Sequence, residues 1–284
     1  MKKAILLTFD VEEFDLPKEY SINLSEEQEF EISRQGLTIL TNLLNKYSIK
    51  ATFFATATFA KKYPQIIKNL QNQEHEIACH GYEHCDDYSC NLEKINQAKK
   101  QIEKIIKTNI NGFRAPRWAI KNIKELYNFD FEYDSSFHPI FLPGRYFNIS
   151  KKRGIHKIGN IIEIPLSTLP PNFSIFWLAF KNLPLLYSKA FTKINFTCSN
   201  YTMLLFHPWE FTNLSKFRIP RYIKKNPKQK LEKYIIFCKK NNYEFQTISN
   251  YLQKSIKCPK TALTPRKLNF KSSILLTDLN LAKT

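Results

Sequence analysis

Four short stretches of this chain concentrate the side chains that hydrolytic chemistry needs. His80-Gly81-Tyr82-Glu83-His84 sets two imidazoles four residues apart, a spacing that lets a helical turn aim both at one point and that suits a divalent cation. Asp10-Val11-Glu12 follows an apolar run at 6–9 and offers two carboxylates, one to hold a metal and one to take a proton from an attacking water. A carboxylate joined to the two histidines completes a three-ligand face that leaves positions open for water and substrate. Residues 112–118, Gly-Phe-Arg-Ala-Pro-Arg-Trp, bring Arg114 and Arg117 for a carboxylate and Trp118 to wall a pocket. His207-Pro208-Trp209-Glu210 adds a third histidine that need not bind metal and is suited to protonate a leaving amine. Each stretch alone also has a plainer reading. An isolated HxxxH pair arises by chance, Asp10 and Glu12 share their loop with Glu13 and Asp15 as a solvated acidic face would, and Arg114 fits a structural ion pair. Tyr82, Trp118 and Trp209 suit the face of a sugar ring and equally suit a core.

Residues so far apart act together only if the intervening elements gather them. Short apolar runs at 4–11, 51–54, 76–79 and 112–114 predict strands. Helical periodicity fills the gaps: 26–47, with Ile32, Leu37, Leu40, Leu43 and Leu44 on one face, then 60–70, 92–106 and 120–127. The alternation continues with strands at 131–133, 161–166 and 201–206, a helix at 228–240 and a last strand at 245–248. Repeated βα units imply parallel strands, closed into a barrel or wound as an open sheet, with the site at their carboxyl ends in either case. Asp10 and Glu12, His80 and His84, and His207 all fall there. Residues 255–284 show no clear period and read as a tail appended to a domain at 1–254.

Composition narrows the classes. Hydrophobic residues at 43% and aromatics at 14% describe a chain that packs a core. The formal charge of +18, from 43 Lys and Arg against 25 Asp and Glu, attracts polyanions. No nucleic-acid recognition motif accompanies it, so an anionic glycan, a glycolipid or a membrane surface is the better match. The apolar run at 4–9 is too short for a signal peptide and reads as a strand, which places the expected activity in the cytoplasm, peripheral to the inner membrane at most. The stretch 173–186 is interrupted by Lys181, Asn182 and Pro184 and predicts a buried or interfacial helical segment, not a membrane span. Six cysteines (Cys79, Cys85, Cys90, Cys198, Cys238, Cys258) lack paired spacing and read as free thiols; Cys79 and Cys85 flank histidines without matching a zinc-site pattern.

In order, Thr8-Phe9-Asp10, His80-x-x-x-His84, Arg114-x-Pro116 and Leu205-x-His207 resemble the motif series of the polysaccharide deacetylases, the NodB-homology carbohydrate esterases, over residues 4–250. Tyr133-Asp134-Ser135-Ser136, Glu163-x-Pro165-Leu166-Ser167 and Phe206-His207-Pro208-Trp209-Glu210 look like the subgroup encoded with exopolysaccharide clusters. The resemblance implies a deformed (β/α) barrel with a divalent metal, usually zinc, held by an acidic residue and His80 and His84. It implies Asp10 as catalytic base, Arg114 as the residue that positions it, and His207 as general acid. It implies that the backbone N–H near Arg117 faces the oxyanion; Arg117 with the aromatic candidates Trp118, Tyr82 and Trp209 makes up the expected substrate-binding set. The family's first motif has two adjacent aspartates where this chain has Asp10-Val11-Glu12, so Glu12 is the expected acidic ligand. The implied activity is removal of N-acetyl groups from a polysaccharide, or from a lipid- or nucleotide-linked sugar of bacterial envelope synthesis. Relatives with altered first motifs cleave cyclic amides, and a barrel without activity that only binds glycans is the remaining alternative.

Overall fold

A computed structural model of the chain describes residues 2–84, 91–142, 146–171 and 173–257. Ala4–Val11, a stretch without glycine or proline, forms the first strand (β1), and all eight of its residues are buried. Then come α1 (Glu26–Lys46), β2 (Thr52–Ala55), α2 (Ala57–Lys62), α3 (Pro64–Asn72), β3 (Glu76–Cys79), α4 (Leu92–Ile106), β4 (Gly112–Phe113) and β5 (Tyr133–Asp134). They are followed by β6 (Phe141–Leu142), β7 (Tyr146–Phe147), β8 (His156–Ile158), β9 (Ile161–Glu163), β10 (Thr168–Leu169) and β11 (Phe173–Ser174). The last elements are α5 (Trp177–Asn182), α6 (Leu185–Cys198), β12 (Tyr201–Phe206), α7 (Arg221–Lys224), α8 (Lys228–Lys240), β13 (Glu244–Phe245) and α9 (Ile248–Lys257).

The strands β12, β1, β2, β3, β4, β5 and β9 lie side by side and parallel, β8 adds an antiparallel edge, and β13 pairs with Ala4 and Ile5 of β1. A sheet covered on both faces needs strands that are apolar throughout, which is why β1, β2 and β12 are buried along their whole length. The sheet curls into the deformed (β/α) barrel expected from the sequence, but among the described residues backbone pairing does not close the ring. β12 ends it on one side, and two of its outward N–H groups finish on hydroxyls: Met203 N–H donates to Ser167 Oγ (2.9 Å) and Tyr201 N–H to Ser199 Oγ (3.2 Å). The Tyr201 hydroxyl donates to the Pro165 carbonyl (2.8 Å), so the segment leaving β9 stitches the barrel to β12.

α1 starts at Glu26 because Ser25 and Gln28 cap each other's backbone N–H. It crosses a 3₁₀ turn, Pro208–Phe211, at Gly36, where a Cβ would lie 1.9 Å from the Pro208 carbonyl oxygen; only glycine permits that approach. Several expected elements differ in detail. The helix predicted at 60–70 is two helices, broken where Pro64 opens α3. The stretch 120–127 forms a 3₁₀ helix at Ile123–Phe129. The apolar segment 173–186 divides among β11, α5 and the start of α6, with Pro184 at the break, and among the described residues no helix is long and apolar enough to cross a membrane. The last strand is β13, and Ile248 instead begins α9, which runs to Lys257. Cys79, Cys198 and Cys238 are free thiols, and Cys85, Cys90, Cys258 and the remainder of the tail lie outside the described residues.

Candidate active site

Parallel neighbours end on the same rim, so the polar residues that follow β1, β3, β4 and β12 meet there. Asp10 is the penultimate residue of β1, Glu12 follows the strand, His80 follows β3, Arg114 follows β4 and His207 follows β12. Glu12 Oε2 lies 3.1 Å from His80 Nε2 and 3.3 Å from His84 Nε2. One donor atom from each of the three falls within 4.8 Å of the others, a spacing that fits one metal ion. His84 does not reach this point from a helical turn. Gly81 at φ +81° bends the chain directly after His80, and His84 arrives from the loop.

The ring nitrogens turned away from the centre decide what the inner ones offer. His80 Nδ1 faces the Arg114 carbonyl (2.8 Å), and His84 Nδ1 faces Asp15 Oδ2 (2.8 Å). A carbonyl oxygen only accepts, so His80 Nδ1 carries the hydrogen and Nε2 turns its lone pair on Glu12. Two acceptors at 3.1 Å need positive charge between them, a proton or a cation. The local charges agree with a cation site. Burial alone would raise Glu12, but His84, His207 and His80 hold its carboxyl far below the usual range. Burial works against charge on His84 as well, yet Glu12 and Asp15 bring it up to about 9. The donor set, two imidazoles and a carboxylate with oriented outer partners, suits zinc or another divalent ion.

Asp10 sits beside this centre, its Oδ2 3.9 Å from His80 Nε2. Its Oδ1 accepts from Arg114 NH1 (2.8 Å), and the same guanidinium donates to Thr8 Oγ1 (2.9 Å), Ser135 O (3.0 Å) and Ser135 Oγ (3.0 Å). Arg114 is wholly buried, lies 4.1 Å over the Phe54 ring, and fixes Asp10 from inside the barrel. Further along the rim Asp134 and Glu163, ending β5 and β9, are both raised, first by burial and, for Glu163, next by the charge of Asp134, which favours a proton on the pair.

His207 faces the centre from the opposite side, Nε2 3.7 Å from Glu12 Oε1. Glu210 accepts from its backbone N–H (2.7 Å) and lies 3.0 Å from its Nδ1. Burial disfavours charge on His207, but Glu12, Glu210 and Asp10 raise it above its ordinary value. Behind Glu210 stands Lys181, buried, 3.1 Å from Glu210 Oε2 and donating to the Ile223 carbonyl (2.7 Å). The Trp209 indole, 2% exposed, stacks on His207 and points Nε1 at Glu12 Oε1 (3.5 Å), so it packs under the site.

The cleft over these groups is lined by Asp10, Glu12, His80, His84 and His207, with Arg117, Trp118 and Trp177 among its walls. Arg117 is held by Glu19 (2.7 Å) and Asp15 (3.5 Å). Tyr82 packs against the core and does not line the cleft. Sequence reasoning missed Asp15, which orients His84, and Glu13, which accepts from His84 N–H (3.2 Å) and from the Thr56 hydroxyl (3.0 Å). Their signal was present as acidic neighbours of Glu12. Lys181 and Trp177 gave none, because nothing local ties them to the rim.

The curled parallel sheet thus gathers at one rim three donors that could hold a metal ion, an Arg-held carboxylate and a carboxylate-held histidine, a set of groups suited to amide hydrolysis. Residues 1–128 match the family model described as polysaccharide deacetylase. A peptidoglycan-N-acetylglucosamine deacetylase from Bacillus cereus is 36% identical over 84 residues, 30% of this chain but 28% of that relative's length. A Mycobacterium smegmatis crystal structure described as a polysaccharide deacetylase shares the fold at a TM-score of 0.64 and 19% identity, over 99% of this chain and 96% of that one. The crystal structure of an allantoinase follows at a TM-score of 0.63 and 16% identity, over 90% of both chains, a likeness of fold alone. The first 128 residues are thus similar to the polysaccharide deacetylase family, and the fold of the whole chain is shared with solved structures described as polysaccharide deacetylases.

Proposed function

We propose that this protein is a divalent-metal-dependent hydrolase that removes N-acetyl groups from a bacterial envelope or surface glycan, either the polysaccharide or its lipid- or nucleotide-linked precursor in the cytoplasm. The observation that carries the reading is the joint geometry of the rim: Glu12, His80 and His84 around one point, Asp10 on one side and His207 on the other. Zinc is the metal the donor set favours, and bound there it would supply Lewis acidity toward the acetamide carbonyl. Asp10, its second oxygen held by Arg114, takes a proton from the attacking water. His207, oriented by Glu210, gives a proton to the departing amine as the C–N bond breaks, leaving acetate and a free amino sugar. Arg117 and Trp118 hold the sugar at the cleft wall. Association with an anionic glycan or membrane surface follows from the charge of +18.

The test is acetate release from N-acetylglucosamine oligosaccharides and lipid-linked precursors, with and without chelator, for the wild type, Asp10→Ala and His80→Ala. Chelator-sensitive release lost in both variants is the expected result. Bound metal without acetate from any glycan would refute it and favour a small cyclic amide as substrate. Retention of all five of Asp10, His80, His84, Arg114 and His207 supports an active enzyme over a barrel that only binds.

A further inference from the structure

Charge is unevenly placed along this chain. Residues 164–231 carry ten Lys and Arg against one acidic residue, Glu210, whose carboxylate is buried against Lys181. That stretch builds α5, α6, β12, α7 and the start of α8, and its helices meet at one corner. Asn182, ending α5, donates to the Tyr222 carbonyl of α7 (2.9 Å), and Lys181 donates to the Ile223 carbonyl (2.7 Å). Lys230, in the first turn of α8, donates to the Phe180 (3.1 Å), Lys181 (3.0 Å) and Leu183 (2.8 Å) carbonyls and so closes off the end of α5. Leu185 opens α6 directly after Pro184.

Three large apolar side chains stay in water on these elements: Leu186 is 74% exposed, Tyr222 49% and Leu183 39%. Arg221, Lys225 and Lys228, from α7 and the start of α8, are exposed as well. A soluble polyanion would satisfy the cations and leave the leucines in water. An anionic membrane satisfies both, because apolar side chains enter the boundary of the acyl region while the cations meet headgroup phosphates. α5 also joins this corner to the active site. It begins at Trp177 on the cleft wall, and its six residues at about 1.5 Å each span about 9 Å.

We propose that this corner docks on an anionic lipid surface and that the glycan presented to the cleft is still attached to lipid. The inference rests on the deacetylase reading and narrows its substrate. A docked chain holds the cleft close to the headgroups, where the first sugars of a lipid-linked glycan stand. Each basic side chain brought to an anionic leaflet strengthens partitioning about fivefold, so reversing two of them removes much of the grip.

Sedimentation of the zinc-loaded full chain with vesicles tests the surface, using phosphatidylcholine alone and phosphatidylcholine with an equal part of phosphatidylglycerol. The anionic vesicles should bind about tenfold more tightly than the neutral ones, and less so as salt rises. Leu186→Glu, and separately Arg221→Glu combined with Lys225→Glu, should each weaken that binding by about tenfold. All three residues are exposed, so thermal melts should show the variants folded. Acetate release from a lipid-anchored N-acetylglucosamine oligosaccharide in the anionic vesicles should fall with binding, while release from the same oligosaccharide free in solution should not change. Equal binding to both vesicles, no binding at all, or binding that survives both variants would overturn the surface. So would a soluble anionic polysaccharide bound as tightly as the vesicles and indifferent to Leu186→Glu, since that marks a polyanion site. The two readings fail separately: sedimentation with no acetate from either substrate refutes the deacetylase, whereas acetate from both substrates without sedimentation refutes the surface.

Discussion

Gly36→Ala should damage the site from behind, through a residue that touches none of the reacting groups. The added Cβ would begin 1.9 Å from the Pro208 carbonyl oxygen and 2.5 Å from the Pro208 carbonyl carbon, where an ordinary contact starts at 3.4 Å. Taking 3.4 minus 1.9, α1 and the Pro208–Phe211 turn must separate by about 1.5 Å. Neither yields cheaply. Leu37, Leu40 and Leu44 anchor the helix in the core, and Trp209, Glu210 and Phe211 anchor the turn. Overpacking of this kind costs about 1–3 kcal/mol, which in a chain this size lowers the melting temperature by about 3–10 °C. The turn carries His207 at its cap and Glu210 within it, and a displacement of about 1 Å in a proton donor costs about a hundredfold in kcat. Glu12, His80 and His84 stand on other elements, so zinc affinity measured by calorimetry should change far less than acetate release. Wild-type melting together with wild-type turnover would refute the reasoning. So would a loss of zinc affinity as large as the loss of turnover, since the damage would then have spread to the end of β1.

Three further outcomes follow from the geometry. Glu12→Gln should lower zinc affinity by more than tenfold, since one of three ligands loses its charge; zinc content after dialysis unchanged from wild type would remove Glu12 from the centre. Lys181→Met should destabilise by about 3 kcal/mol because it leaves the buried Glu210 carboxyl without its cation partner, and adding Glu210→Gln should recover part of that loss; denaturant melts in which the two changes simply add would deny their coupling. Glu163, raised well above 4.5, keeps a proton in the folded chain that the unfolded chain releases, so this group contributes a stability that is full below pH 4.5 and declines as pH rises above it. Glu163→Gln still accepts from Phe137 N–H and can donate to Asp134, so its melting temperature relative to wild type should climb as pH rises above about 4.5; parallel pH curves would show that the pair holds no proton.

The sequence disclosed the rim better than the walls. β1, β2, β3 and β12 are buried on both faces, and uninterrupted apolar runs gave them away together with the chemistry at their ends. The pairs β6–β7 and β10–β11 have two residues per strand, too few for any period to show. The HxxxH spacing pointed to the right residues for a partly wrong reason, since Gly81 and not a helix brings His84 round. The roles of Lys181 and Asp15 come from contacts across the fold: Lys181 meets Glu210 from α5, and Asp15 meets His84 from 69 positions away. Such pairings leave no mark on local composition.

The hydroxyls along the outer edge of β12 carry a consequence beyond closing the ring. A terminal strand with bare N–H groups is a template on which another chain can add a strand. Here Ser199 and Ser167 occupy the Tyr201 and Met203 donors, so a foreign strand finds them already engaged. The same incomplete closure leaves β12, and His207 at its tip, tied to a neighbouring strand ladder on one side only. Two serines thus take up two of the donors that an added strand would need at the strand that ends in His207.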